Sequence, residues 1–399
     1  MSNIRHITLP GGFVAAGVKC GIKASGNPDL AIIAGAAPVS AAVMTTSNQV
    51  VGAPVLWCRK ALPRGFGRIR GMVINAGCSN VCTGAEGRKN AAAMAAQAAK
   101  GLGATAGEVL VASTGIIGHQ LPMAKVRIGI ADALGQLGTR LDQTVIRSIM
   151  TTDTREKSAV VQVRIGGKCV TLAGIIKGAG MIAPHLATMI CVVTTDADIA
   201  PTLLNKLWRE AVSGTVNAVT VDSDESTSDT AVIMASGASG ATVAAGATTK
   251  KFAQALHELL NELAMAMARD GEGATKLVVI RVSGAVNDAQ ARIAALSVAN
   301  SPLFKCAVHG GDPNWGRILC ALGKSSAKVD QDRATVSLGG VKVFVKGTPQ
   351  KYDLKAVETH LAGTTVEVDA NLALGKGQFT AYTCDFSREY ITINADYHT

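Results

Sequence analysis

The chain has 399 residues, 48% of them hydrophobic and 17% charged, with a formal net charge of +10; it can bury a large core and is no disordered polymer. Aromatic residues make up only 4%, too few for base stacking, so the dispersed positive charge points to acidic small molecules and away from nucleic acid. No run of about 18 uncharged apolar residues supports a membrane span, and the start MSNIRHITLPGGF lacks the apolar stretch of a signal peptide, so a cytoplasmic location is the expectation.

From the N-terminus, Gly11-Gly12 reads as a turn into a first strand. The β-branched runs AIIAG, VVGAPVLWC, GMVINAG and VLVAS then alternate with one alanine-rich helical stretch from Glu86 to Leu102, an α/β pattern. The basic stretch RKALPRGFGRIR (Arg59 to Arg70) reads as a solvated loop. Helices are expected over 122–136 and 140–150, followed by two strands in VVQVRIGGKCVTLAGII joined by a tight Gly166-Gly167 turn. The second strand runs into KGAGMIAPHLATM, and the apolar run MICVVTTD follows. Beyond it, helices are expected near 201–213, 249–269 and 285–299, with strands near 277–283, 333–346, 364–369 and 377–394. Helices and strands mix in both halves, so layered sheets flanked by helices are expected. Neither a repeat of fixed period nor a low-complexity linker marks a domain boundary.

The nine cysteines are scattered without a repeated CxxC pair and read as reduced, partly buried thiols. The seven histidines form no metal-ligand spacing such as HxxxH, and no GxxxxGK[ST] phosphate loop occurs, so neither a metal nor a cofactor is implied.

The sharpest punctuation is KGAGMIAPHLATMICVVTTDA, where Gly178, Gly180 and Pro184 hold an irregular connection and small Ala187 precedes Thr188. A threonine hydroxyl is a weak nucleophile unless a base sits beside it, and one solution is the threonine's own α-amine, freed by cutting the preceding peptide bond. That amine has a reference pKa near 8, close enough to neutrality to accept a proton. The residue types leave this reading open beside a plainer one, a threonine opening a β-strand. Likewise Thr114-Gly115, at the end of a strand in VASTGIIG, reads either as an oxyanion hole or as a plain strand-to-helix turn.

The segment from Lys177 to Met189, with STGIIG, MTTDT, DPNWGRI and the terminal INADYHT in the same order, resembles the ornithine acetyltransferase family, the bifunctional glutamate N-acetyltransferases of the cyclic arginine pathway. The resemblance covers nearly the whole chain. It implies self-cleavage between Ala187 and Thr188 into segments 1–187 and 188–399. The implied fold is mixed α/β, two α/β sandwich subdomains of the ornithine acetyltransferase / DmpA-like type, with the two pieces intertwined and paired as α2β2. It also implies that Thr188 carries the acetyl group from N-acetylornithine to glutamate, with Thr114 and Gly115 as the oxyanion hole.

Substrate contacts implied by the same resemblance are Thr151 (with Thr152 and Thr154 as neighbouring alternatives), Lys177, Thr188, Glu272, Asn394 and Thr399. Acetyl-coenzyme A as a second donor stays open, as do a hydrolase of the same fold, a secondary-metabolic acceptor and an uncleaved amino-acid-binding homologue. DPNWGRI receives no catalytic role. The chain departs from the family pattern at Cys78, where asparagine is usual, at Glu225 and Ser228 in DSDESTSDT, where the pattern resembles DGDTSTNDT, and at His185.

Overall fold

The structure, a computed structural model, describes residues 6–183 and 189–396. Ala187, Thr188 and Thr399, on which three of the expected roles fall, and His185 lie outside the described residues.

The chain runs β1 (Phe13–Val18), β2 (Leu30–Thr45), α1 (Ala53–Ala61), β3 (Phe66–Cys78), α2 (Gly84–Leu102), β4 (Val109–Ile116), α3 (Met123–Gly135), α4 (Asp142–Ile149), β5 (Ser158–Ile165) and β6 (Lys168–Lys177). It continues with β7 (Ile190–Thr195), β8 (Asp198–Ile199), α5 (Pro201–Gly214), β9 (Thr230–Ala235), β10 (Thr242–Val243) and α6 (Ala247–Arg269). The last part holds β11 (Leu277–Ala285), α7 (Asp288–Ala299), α8 (Pro302–Gly310), α9 (Trp315–Gly323), β12 (Thr335–Leu338), β13 (Val341–Val345), β14 (Thr348–Pro349), α10 (Leu354–Leu361), β15 (Thr365–Asn371), β16 (Gly377–Cys384) and α11 (Arg388–Asp396).

Two large sheets organise these elements. The first has the order β4-β3-β2-β9-β7-β6-β5, with β1 added against β2; the second runs β14-β13-β12-β15-β11-β16. Helices cover the first sheet on both faces. Leu172, Ile176 and Val193 pack toward α5 and α6, whereas Ile175, Val192 and Met234 lie in the cluster that holds Val145 and Ile149 of α4. In α2 the stripe Ala91, Met94, Ala95 and Ala98 is buried at helical spacing, and Gly103 ends the helix in the left-handed region at φ 64°. The 158–177 hairpin turns at Gly166 and Gly167 with φ 57° and 81°, the pair of positive angles that a tight hairpin of this type needs. The second sheet buries Val278, Ile280 and Val368 beside Ala294 and Val298 of α7. Residues of both sheets, such as Val193 and Val279, share one core with Leu259 and Leu263 of α6.

The two-sheet, mixed α/β architecture agrees with the expectation from sequence, and four local readings are corrected. VVGAPVLWC, grouped with the β-branched runs, contains the start of α1. Gly52 is extended before it and Pro54 stands in its first turn, and Trp57 Nε1 donates to the Val109 carbonyl at 2.9 Å. Arg59 to Arg70 is not a loop throughout: it finishes α1 and begins β3, with Ile69 fully buried. The helix expected from residue 285 starts at Asp288, because Asn287 caps it by accepting the Gln290 N–H at 3.0 Å. The strand expected over 377–394 ends at Cys384, and the tail forms α11, whose start is held by the Ser387 hydroxyl accepting the Glu389 N–H at 3.1 Å.

The close seat of α6 on β6 makes a direct test, since a Cβ on Gly174 would stand 2.8 Å from Leu263 Cδ1. Leu263→Ala is expected to cost about 3 kcal/mol, read from the midpoint of urea unfolding. A loss below about 1 kcal/mol would mean that the helix is not packed as described.

Candidate active site

Strand ends from both halves of the chain converge on one point. Lys177, the last residue of β6, pairs with Ile190 of β7, and Ile190 pairs with Thr230 of β9. Thr114 lies near the end of β4, where Gly115 pairs with Gly77 of β3. Gly115 holds φ 121°, and a Cβ there would lie 2.5 Å from the Gly77 carbonyl carbon, so only glycine lets the two strands approach so closely.

Lys177 is 1% exposed, and its Nζ donates to Thr114 Oγ1 at 3.2 Å. Burial pushes its ammonium pKa down, the Asp153 carboxylate opposes that, and the Lys157 charge adds to the lowering. Asp153 is the hub beneath it, accepting from the Thr151 N–H at 2.9 Å, the Gly178 N–H at 2.6 Å and Lys157 Nζ at 2.7 Å. Burial alone would raise the Asp153 carboxyl, but Lys177, Lys157 and the Gly178 amide outweigh it and hold the pKa at about 2. Asp270 closes the network by accepting from Lys157 Nζ and from the Thr154 hydroxyl.

A cavity of about 150 Å³ opens over these strand ends, and Thr114, Gly115, Thr151, Lys177, Glu272 and Asn394 all line it. Six expected site residues from five separate places in the sequence therefore share one pocket. Thr152 also lines it, whereas the alternative Thr154 is turned to structural use by its bonds to Asp270. Glu272 is seated by its N–H donating to the Ala179 carbonyl at 2.9 Å. A Cβ on Gly180 would come within 2.3 Å of Glu272 Oε2, so glycine makes room for the carboxylate. Asn394 Nδ2 donates to Glu272 Oε2 at 3.0 Å, which brings α11 to the rim of the cavity.

Sequence reasoning did not single out Ser79, Ile117, Met181, Ser226 and Thr227 on the walls, nor the hub Asp153. The signal for Asp153 is the acid of MTTDT four residues before Lys157. Among the departures, Cys78 is buried with its Sγ donating to the His119 carbonyl at 3.3 Å, and burial pushes its thiol pKa up. Ser228 reaches the cavity wall, while Glu225 is exposed and meets Asn48 only through its backbone carbonyl. Ser223 holds φ 64° at the place where the family pattern has glycine.

The fold and the pocket describe a mixed α/β protein with a half-open polar cavity built around strand-end hydroxyls, a buried lysine and a glutamate. The family model described as "ArgJ family" matches residues 14–399, and the chain belongs to that family. The arginine biosynthesis bifunctional protein ArgJ of Agrobacterium fabrum is 43% identical over 398 residues, covering 96% of this chain and 94% of the relative. The glutamate N-acetyltransferase Oat2 of Streptomyces clavuligerus is 41% identical, with 98% of each chain covered. Among solved structures, the arginine biosynthesis bifunctional protein from Bacillus halodurans matches with a TM-score of 0.50 at 36% identity, covering 51% of this chain and 97% of its own. No helix among the described residues is long and apolar enough to cross a membrane.

Asp153 gives a pH test with a defined sign. Its carboxyl falls from the ordinary 3.8 to about 2 in the fold, so its contribution to stability is present above the ordinary value and is lost as pH falls toward about 2. Asp153→Asn is expected to lower stability at neutral pH and to flatten the acid limb of the stability profile across that window. An unchanged acid limb in urea unfolding at stepped pH would contradict this.

Proposed function

We propose that the chain cuts itself between Ala187 and Thr188 and then transfers the acetyl group of N2-acetyl-L-ornithine to L-glutamate through an acetyl-Thr188 intermediate. The observation that carries the proposal is the single cavity that gathers Thr114, Lys177, Thr151, Glu272 and Asn394 beside the start of β7, the strand that follows residue 188 in the chain. The relatives' names, ArgJ bifunctional protein and glutamate N-acetyltransferase, supply the reaction.

In the cleavage, the Thr188 hydroxyl attacks the Ala187 carbonyl, the C–N bond breaks to leave an ester and a free Thr188 α-amine, and water hydrolyses the ester to the Ala187 carboxylate and the Thr188 hydroxyl. In the transfer, that amine takes the hydroxyl proton as Oγ attacks the acetyl carbonyl, then returns a proton to the departing ornithine amine. Because Lys177 donates to Thr114 Oγ1, the Thr114 hydrogen is left to point elsewhere, and it serves with the Gly115 N–H as an oxyanion hole. Glu272 takes the side-chain ammonium of acetylornithine, and Asn394 orients Glu272. Thr151 and Lys177 hold the amino-acid head, and Thr399 joins them from the chain end. Glutamate then accepts the acetyl group, and the bifunctional names of the relatives extend the proposal to acetyl-coenzyme A as a second donor.

The two pieces stay together because β7 and β9 from the second are central strands between β2 and β6 of the first. Two such pairs make the α2β2 assembly, and the reaction belongs in the cytoplasm.

Intact-mass analysis of purified protein is expected to give two fragments meeting at Ala187/Thr188; an uncut chain with full transfer activity would contradict the mechanism. Glu272→Gln removes the charge that meets the substrate ammonium and is expected to raise the KM for acetylornithine about tenfold with a smaller change in kcat. An unchanged KM in steady-state assays would remove Glu272 from that role.

A further inference from the structure

The loop between the short 3-10 turn Val216–Ala218 and β9 ties down the chain on both sides of the scissile segment. Upstream, the Asp222 carboxylate accepts the Met181 N–H at 2.6 Å and the Ile182 N–H at 2.9 Å. The Ile182 carbonyl in turn accepts the Val221 N–H at 2.8 Å and the Thr220 hydroxyl at 3.2 Å. Downstream, Asp229 Oδ1 accepts the Met189 N–H at 2.6 Å, and the Met189 carbonyl accepts the Thr230 N–H at 3.1 Å.

This arrangement does more than close a loop. Met181 is held at φ 54°, a left-handed conformation that a methionine adopts only when its surroundings impose it, and Asp222 accepts the N–H of that residue. Asp229 is 1% exposed, and its second oxygen, Oδ2, is buried with no hydrogen-bond partner among the described residues. Burial pushes the carboxyl pKa of both groups up, well above the ordinary value for Asp229, with Lys177 opposing the rise there. A carboxyl held in a core with one oxygen unpartnered is costly, and its other oxygen is committed to the Met189 N–H. The Met189 nitrogen that Asp229 grips is the atom bonded to the Thr188 carbonyl carbon, so a shift of Asp229 is passed to the nucleophile through one peptide unit.

We propose that Asp222 and Asp229 are positioning residues, a pair of carboxyl anchors that hold the two flanks of the scissile segment so that Thr188 is presented to the Ala187 carbonyl and afterwards to the Thr114 side of the cavity. The anchors act through backbone amides, Asp222 also accepting the Tyr390 hydroxyl of α11 at 3.3 Å, and touch no substrate. The inference rests on the self-cleavage proposed above.

The test uses the full-length chain. Asp229→Leu and Asp222→Ala remove the acceptor oxygens, while Asp229→Asn and Asp222→Asn keep one; cleavage is followed by intact mass after synthesis, and transfer by steady-state kinetics. The acceptor-free variants are expected to cut at least about 30-fold more slowly, and their cut fraction to lose kcat with little change in KM, whereas the asparagine variants stay within about threefold of the parent. Asp222 is only half-buried, so its variants decide the matter if the Asp229→Leu chain does not fold. Cleavage and kcat at parental level in the acceptor-free variants would overturn the anchors alone, as would asparagine variants as slow as those without an acceptor. A parent chain that is never cut would overturn the anchors and the proposed function together.

Discussion

A buried ammonium is tolerated only where other charges and dipoles replace its lost water, and the site depends on meeting that condition at Lys177. The end of β6 supplies the lysine, Thr114 of β4 receives its Nζ, and Asp153 lies below to supply negative charge. Asp153 in turn draws in the amides of Thr151 and Gly178, and Lys157 with Asp270 adds a second buried pair of opposite charges. Breaking one member leaves the others uncompensated, so the network fixes the relative positions of β4, β6 and the 151–154 turn more firmly than apolar packing alone. The hydroxyl of Thr114 is thereby held at the cavity with its acceptor side already occupied.

The first sheet takes strands from both sides of residue 188. β7 and β9 form the parallel pair at its centre, with α5 in the crossover between them, and their neighbours β2 and β6 come from the first half. Cutting the chain between 187 and 188 would leave every backbone ladder of that sheet intact. A free amine at residue 188 would then sit next to a strand whose register is already set by its neighbours.

Much of this was legible in the sequence where local signals agree with the fold. Gly166-Gly167, the alanine stripe of α2 and the long apolar face of α6 each carry their own period or turn chemistry, and each forms the element expected. The reading failed where tertiary contacts override local preference. Ile391, Thr392 and Ile393 favour a strand, yet α11 buries none of its residues and is held by polar ties, Tyr390 to Asp222 and Asn394 to Glu272. At the site, the ordered motifs led to Lys177 and Thr114 and the resemblance to Glu272, but the ties of Asp153 and Asp229 to the Gly178 and Met189 amides leave no side-chain pattern in the sequence. Ser223, a departure from glycine at φ 64°, gains its meaning only from the backbone angle.

The central claim is that an acetyl group rests on Thr188 between donor and acceptor. Purified protein mixed with N-acetylornithine alone, quenched in acid and separated into its fragments, tests it most directly. The account predicts that the fragment beginning at Thr188 gains the mass of one acetyl group, that the gain maps to residue 188, and that added glutamate discharges it. Transfer that proceeds at full rate while neither fragment ever carries the acetyl group would contradict it.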